Sequence, residues 1–157
     1  MIKLIIFDLD GVLVEAKNIH FEALNEALGK EYAISWNEHL STYDGLKTVQ
    51  KLEMLTTNKK LPKTDHETIW QKKQKITLKK LKQLKEDDNL ISVMKSLTES
   101  GYELAVCSNS IRKTVLTVLS KLGVMEYMDL VISNEDVKNS KPHPEMYWKA
   151  ISMMSKL

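Results

Sequence analysis

Apolar residues are concentrated in three short runs that predict buried β-strands. The runs cover residues 3–7, 103–107 and 129–133, and polar residues follow each of them directly. Runs that are nearly continuous in apolar character suit a parallel sheet covered on both faces. The stretches between the runs are long enough for the crossover connections that parallel strands require. The pattern therefore predicts an α/β fold with a Rossmann-like parallel sheet core.

Apolar residues at helical spacing predict crossover helices on either side of the second run. One helix covers about residues 89–100 and is followed by Gly101, and the other covers about 111–122 and is followed by Gly123. Glycine directly after the last periodic residue is a usual helix stop. With a further helix near the C-terminus, the predicted order is strand, long insert, helix, strand, helix, strand, helix.

The long insert differs from the rest of the chain, because helical periodicity runs through it without a convincing strand. Four helices are predicted there, and Pro62 separates the third from the fourth. We therefore predict a helical cap domain at residues 15–88. It is inserted into an α/β core formed by residues 1–14 and 89–157.

Composition narrows the class of protein but does not indicate a particular activity. The 157 residues are 43% hydrophobic and carry a formal net charge of +2, which suits a globular chain in which a second domain is small and inserted. The single cysteine, Cys107, cannot form an internal disulfide, and the opening apolar run is too short to span a bilayer. The lysines between residues 72 and 85 suit a solvated helix face better than a nucleic-acid surface. We expect a cytoplasmic protein that binds neither nucleic acid nor a membrane.

Two carboxylates stand directly after the first predicted strand, where an open parallel sheet binds its ligands. Asp8 and Asp10 are separated by one residue, and Gly11 permits a sharp turn after them. Close carboxylates repel each other unless a cation lies beside them, and hard oxygen ligands suit Mg²⁺. A turn that uses aspartate only for capping is the alternative, and the strand before the pair with glycine after it disfavours that alternative.

The same pair suits phosphoryl transfer. One carboxylate can attack phosphorus and form an aspartyl-phosphate, which splits one difficult step into two. The other can protonate the leaving oxygen and later deprotonate the incoming one. The residues thus predict a Mg²⁺-dependent phosphoryl-transfer enzyme with an aspartate nucleophile.

Two later loops contain residues that suit the binding of a phosphoryl group. Ser108 and Asn109 follow the second strand and precede a helix, whose N-terminal N–H groups suit a phosphate. Lys141 follows the third strand and stands before a proline that restricts the backbone. Taken singly, these residues read as an ordinary helix cap and a surface lysine. Their order, each just past a successive strand, favours a phosphate site.

These motifs resemble the haloacid dehalogenase (HAD) superfamily, in its phosphatase and β-phosphoglucomutase-like branch with a helical cap. The resemblance implies that Asp8 is the nucleophile and Asp10 the general acid and base, and that both take part in binding Mg²⁺. It implies that Ser108 and Asn109 bind phosphate, and that Lys141 neutralises the nucleophile and the phosphoryl group.

Two residues of the insert match positions of the family's cap, and a third position departs from the family. His20 matches a histidine that is frequent in the sugar-phosphate mutases, with a capping or exposed histidine as an equal alternative. Gly45 resembles the glycine of the cap's specificity loop. The arginine by which mutases hold a distal phosphate has no clear equivalent, because Thr48 stands at the aligned position and Lys47 is a possible substitute. This departure favours a phosphatase over a mutase.

The family's fourth motif, an acidic pair after a fourth strand, has no counterpart before Leu157. Glu135 and Asp136 are the candidates to compensate for it in the metal site. In the family the fourth strand pairs with the first. Its absence predicts an exposed edge on the first strand, through which two copies could associate.

The prediction for function is a Mg²⁺-dependent phosphatase that hydrolyses a small phosphorylated metabolite, such as a sugar phosphate, through an aspartyl-phosphate. A sugar-phosphate mutase of the same superfamily and a catalytically incompetent truncated fragment remain as alternatives. Cap residues choose the substrate, so the sequence leaves its identity open, as it does the oligomeric state.

Overall fold

Three parallel strands form the sheet of the computed structural model, which describes residues 3–154. The strands are β1 (Leu4–Phe7), β2 (Glu103–Cys107) and β3 (Leu130–Ile132), in the spatial order β1-β2-β3. Leu4 pairs with Glu103 across the first ladder, and Ala105 pairs with Leu130 across the second. β2 is the central strand and is almost entirely buried. The predicted α/β fold with a parallel sheet is confirmed.

Seven α-helices connect and flank these strands within the described part of the chain. They are α1 (Lys17–Leu28), α2 (Trp36–Glu38), α3 (Thr48–Lys59), α4 (His66–Leu81), α5 (Asp88–Glu99), α6 (Arg112–Lys121) and α7 (Glu145–Met154). α2 is a single turn that continues as a wider π-helical turn over His39–Tyr43. Among residues 3–154, no helix is long and apolar enough to cross a membrane.

Contacts divide the chain into two compact units. The sheet unit comprises the described residues up to Glu15 and from Leu81 onward, and the helical unit comprises Ala16–Lys80. The prediction placed the second border after residue 88. The sheet unit also includes residues 81–88, where the backbone N–H of Asp87 donates to the carbonyl of Leu122 at 3.2 Å. Helical periodicity does not show on which unit such a segment packs.

The sheet unit has its core between the strands and helix α7. Met146 and Ala150, one helical turn apart, are fully buried against Cys107 and Ile132. Full burial of a methionine side chain contributes roughly 1.5–3 kcal/mol relative to leaving it exposed. This packing holds the carboxyl ends of the strands in place, where the polar loops begin.

The helical unit has a separate apolar core of its own. Its buried residues come from α1, α3, α4 and the turns between them, and include Leu24, Leu52, Leu55 and Ile69. They recur at the spacing of three or four residues that brings side chains to one face of a helix. The prediction of an all-helical insert over this region agrees with the observed elements.

Candidate active site

The polar loops of the sheet unit begin at the same edge of the sheet, because the three strands are parallel. Asp8 directly follows β1, and Ser108 directly follows β2. The loop after β3 begins at Ser133 and leads to Lys141. These loops are joined by side-chain hydrogen bonds, which define the candidate site.

Asp8 and Lys141 join the loop after β1 to the loop after β3. The Lys141 Nζ donates to the Asp8 Oδ1 at 2.6 Å and to the backbone carbonyl of Cys107 at 3.0 Å. The lysine side chain is 17% exposed and that of Asp8 is 44% exposed. A carboxylate therefore remains reachable from solvent beside a mostly buried positive charge.

Asp10 lies on the tight turn that follows β1. Gly11 has φ +81°, a left-handed conformation that a side chain would strain, and its N–H donates to the carbonyl of Val14 at 2.7 Å. The intervening Leu9 is completely buried. The Ser110 Oγ donates to the Asp10 Oδ2 at 3.4 Å, so the second carboxylate faces the loop after β2.

Hydrogen bonds hold the first residues of the loop after β2. Ser108 is 1% exposed, its N–H donates to the carbonyl of Ile132, and its Oγ accepts from the N–H of Ser110 at 3.1 Å. Helix α6 begins at Arg112, close to the predicted start, so its first N–H groups lie next to this loop. The structure thus places a hydroxyl, a carboxylate pair and a helix N-terminus along one edge of the sheet.

Asn109 contacts the lysine loop. Its Nδ2 donates to the carbonyl of Lys141 and its Oδ1 accepts from the N–H of Lys141, both at 3.0 Å. Asn134, which the sequence reasoning missed, donates from its Nδ2 to the carbonyl of Asn109 at 2.9 Å. Its position just after β3 was the one available signal, the same signal that marked Ser108 after β2.

Glu135 and Asp136 hold the loop after β3 to the start of α6. The Glu135 Oε2 accepts from the N–H of Arg112 at 2.6 Å, and the Asp136 Oδ2 accepts from the Arg112 Nη1 at 3.0 Å. The same Asp136 oxygen accepts from the N–H and the Oγ of Ser133. Burial works to raise the pKa of Asp136, and these hydrogen bonds with the charge of Arg112 outweigh it, so the pKa is lowered.

Comparison with known proteins decides the family. The family model described as haloacid dehalogenase-like hydrolase matches residues 5–155. The chain belongs to this family. The expected HAD membership, and with it an enzyme of the hydrolase class, is confirmed.

Curated relatives of this HAD chain are phosphatases by name. It is 27% identical over 150 residues to the phosphorylated carbohydrates phosphatase of Thermotoga maritima, covering 91% of this chain and 66% of the relative. It is 22% identical over 163 residues to the pyrophosphatase PpaX of Bacillus cereus, covering 98% and 69%. The chain thus spans about two thirds of the length of these relatives.

Solved structures share the HAD fold with this chain. CbbY from Rhodobacter sphaeroides, in complex with xylulose-(1,5)bisphosphate, superposes with a TM-score of 0.86 at 20% identity, covering 99% of this chain and 73% of that one. The β-phosphoglucomutase of Clostridium difficile gives a TM-score of 0.83 at 22% identity, covering 97% and 70%. At these identities the likeness shows the fold alone.

The donor set of the candidate site fits Mg²⁺, which takes hard oxygen ligands. Asp8 and Asp10 offer hard carboxylate oxygens, and Mg²⁺ is commonly held by one or two carboxylates together with substrate phosphate and water. Among residues 3–154, no three His, Cys, Asp or Glu side chains are grouped so as to hold a metal ion. Glu135 and Asp136 therefore do not form such a group with Asp8 and Asp10.

The cap candidates lie in the helical unit. His20 is in the first turn of α1, where its N–H donates to the carbonyl of Ala16 at 3.0 Å. Gly45, with φ +73°, and Lys47 share the loop before α3, and the Lys47 N–H donates to the Gln50 side chain. Their contact with substrate stays a prediction.

His39, a second residue that the sequence reasoning missed, is completely buried in the helical unit. Its ring stacks on Trp36 at 5.3 Å between centroids, and its Nε2 lies 3.8 Å from the Asp44 Oδ1. Neither ring nitrogen has a hydrogen-bond partner among the described residues. Burial lowers the pKa of His39, and the charge of Lys51 adds to this effect.

Cys107 contributes its main-chain carbonyl to the site, and its thiol is not a nucleophile. It is completely buried in β2, and burial raises the pKa of its thiol to about 11. The thiol is therefore protonated at neutral pH and does not act as a nucleophile.

Proposed function

We propose that this chain is a Mg²⁺-dependent phosphatase that hydrolyses a small phosphorylated metabolite through an aspartyl-phosphate on Asp8. The observation that carries the proposal is the 2.6 Å contact between the Lys141 Nζ and the Asp8 Oδ1 at the carboxyl end of the sheet. A lysine held against an exposed carboxylate provides positive charge where an attacking carboxylate and a phosphoryl group would meet.

The two carboxylates divide the reaction between them. In the first step an Asp8 oxygen forms a bond to phosphorus, the bond from phosphorus to the leaving oxygen breaks, and Asp10 protonates that oxygen. In the second step Asp10 takes a proton from water, the water oxygen bonds to phosphorus, and the bond to Asp8 breaks. Phosphate is released and both side chains return to their initial state.

The remaining groups hold the phosphoryl oxygens. Lys141 neutralises charge on the nucleophile and the phosphoryl group, and the hydroxyl of Ser108 suits a phosphate oxygen. The first N–H of α6, that of Arg112, is already bonded to the Glu135 carboxylate. Asp8 through its carboxylate and Asp10 through its main-chain carbonyl would hold Mg²⁺, which would supply further neutralisation of the negative charge.

The relatives support the substrate class. Their names describe a phosphatase of phosphorylated carbohydrates and a pyrophosphatase, so both act on small phosphorylated compounds. We therefore infer a small phosphorylated metabolite, and a sugar phosphate first among these, as the substrate. A mutase that passes the phosphoryl group to a second hydroxyl is the alternative, and it would isomerise its substrate without releasing phosphate.

The proposal is tested by phosphate release from a panel of sugar phosphates and pyrophosphate, with Mg²⁺ and with a chelator. The expected result is activity that requires Mg²⁺ and falls on the order of 10⁴-fold or more in Asp8→Asn, because the nucleophile is lost. Asp65→Asn, an exposed change of the same chemistry in the helical unit, serves as the matched control and keeps wild-type activity.

Turnover that survives Asp8→Asn would remove the nucleophile assignment. A folded wild-type chain with no phosphate release from any ester would overturn the phosphatase itself. Isomerisation that depends on a bisphosphate, without net release, would replace it by the mutase.

A further inference from the structure

The side chain of Asn109 is bonded at both of its polar ends to one residue of another loop. Its amide nitrogen donates to the carbonyl of Lys141 and its amide oxygen accepts from the N–H of Lys141, each at 3.0 Å. Two bonds to the same residue fix the direction of that main chain as well as its distance. The loop after β2 therefore sets where the side chain of Lys141 starts.

Asn134 extends this connection to the loop after β3. Its Nδ2 donates to the carbonyl of Asn109 at 2.9 Å, and its N–H donates to the carbonyl of Ser110 at 3.2 Å. The main chain of Asn109 is thereby held while its side chain holds Lys141. We call Asn109 and Asn134 together the asparagine clamp.

The far end of Lys141 is held as well. Its Nζ contacts the Asp8 Oδ1 and the Cys107 carbonyl, so the flexible stem is restrained at both ends. A lysine side chain that is not restrained samples many rotamers. An ammonium group that is held before substrate arrives has already lost this freedom, which favours catalysis by preorganised charge.

We propose that the asparagine clamp is a positioning device that aims Lys141 at Asp8, and that Asn109 acts through the lysine instead of binding phosphate. This inference rests on the proposed function, because Lys141 matters for catalysis only if Asp8 is the nucleophile. The clamp itself is a property of the free protein. It can therefore be tested with and without turnover.

The kinetic test is a double-mutant cycle of Asn109→Ala and Lys141→Met. Asn109→Ala keeps the lysine charge but frees its main chain, so kcat is expected to fall about 10- to 100-fold with KM nearly unchanged, since small displacements of catalytic groups cost this much. In the Lys141→Met background the same change is expected to have almost no further effect. Asn89→Ala, an exposed asparagine on α5, is the matched control and leaves kcat unchanged.

The second readout does not need activity. The ¹⁵N-edited NMR signal of the Lys141 ammonium group, assigned by its loss in Lys141→Arg, reports whether that group is held by Asp8. We expect Asn109→Ala to broaden or shift this signal, while Asn89→Ala leaves it in place. Asn134→Ala removes the side-chain hydrogen bond to the Asn109 carbonyl and leaves the Asn109 side chain in place, so it should cause a smaller change. It replaces Asn109→Ala in this test if Asn109→Ala does not fold.

The two failures are separable. If the wild-type chain releases no phosphate but the ammonium signal depends on Asn109, the proposed function fails and the clamp stands. Three results would each overturn the clamp: kcat losses of the two single variants that multiply in the double mutant, a raised KM in Asn109→Ala, or an unchanged ammonium signal in Asn109→Ala. Asn109 would then contact phosphate directly or have a merely structural role.

Discussion

Asp8 and Lys141 are separated by 133 positions along the chain, and their side chains meet at 2.6 Å. Sequence reasoning could place both residues at one edge of the sheet, because parallel strands end on the same side. It could not assign Asn109 to the main chain of Lys141 or find Asn134, because such hydrogen bonds depend on the path of three loops. Polar residues after strands were thus recognisable, and their partners were not.

His39 shows the same limit for a buried side chain. Helical spacing could not distinguish it from an exposed polar residue, yet it is completely buried beside Trp36 and Phe21. Burial lowers its pKa, and among the charges near it Lys51, His20 and Lys17 add to the lowering while Asp44 opposes it.

This burial predicts a pH-dependent stability. Because the pKa of His39 is lower in the folded chain than its unfolded value of about 6.5, the unfolded chain binds more protons below that pH. The contribution of neutral His39 is therefore complete above pH of about 6.5 and is lost as the pH falls towards the folded pKa.

Urea unfolding from pH 7.5 to pH 5 measures this effect. The free energy of unfolding of the wild-type chain should fall over this range, and His39→Gln should reduce the slope, with the exposed His143→Gln as the matched control. Equal slopes in the wild type and in His39→Gln would contradict the assignment.

At the scale of elements, the local signals placed most helices close to where they lie. Helix α5 begins where Asp87 caps it, with the Asp87 Oδ1 accepting from the N–H of Leu90 at 3.0 Å. The second of the four helices predicted in the insert is instead one α-turn that begins at Trp36, capped by Ser35 and Glu38, followed by a π-helical turn. Apolar spacing alone does not distinguish these two windings over so few residues.

The cap of α5 gives a second stability prediction. Asp87→Ala removes a hydrogen bond to an otherwise unpaired helical N–H, and should lower the free energy of unfolding by about 1 kcal/mol. Asp88→Ala, which removes the next carboxylate of the first turn and leaves the cap, should cost less. Thermal or urea denaturation of the two variants compares them, and equal losses would argue against the cap.

At the scale of the whole molecule, the sheet has β1 at one end of the order β1-β2-β3 within the described residues. The carbonyl of Lys3 accepts from the N–H of Glu103, so residues 3, 5 and 7 direct their main-chain groups towards β2. The N–H groups of Leu4 and Ile6 then point away from it, because main-chain groups alternate along a strand. An edge of this kind can pair with a strand of another chain.

We therefore propose that a chain of residues 1–157 self-associates through β1. Sedimentation over a range of concentrations should show a species larger than one chain, and Leu4→Pro should weaken it, since proline removes an outward N–H and is tolerated on an edge strand. Leu4→Val, which keeps that N–H, is the control. A species whose size does not change in Leu4→Pro would place the contact elsewhere.

The sequence by itself determined the fold class and the family, and it predicted the candidate site residues. Each depends on local information: apolar runs for strands, helical periodicity for the insert, and polar residues that directly follow the strands. Only the tertiary structure decided which side chains meet. It showed that His39 is buried and that Asp136 accepts hydrogen bonds from Arg112 and Ser133. It also showed that the asparagine clamp holds Lys141. Such contacts depend on packing in three dimensions, to which the spacing of residues along one segment is insensitive.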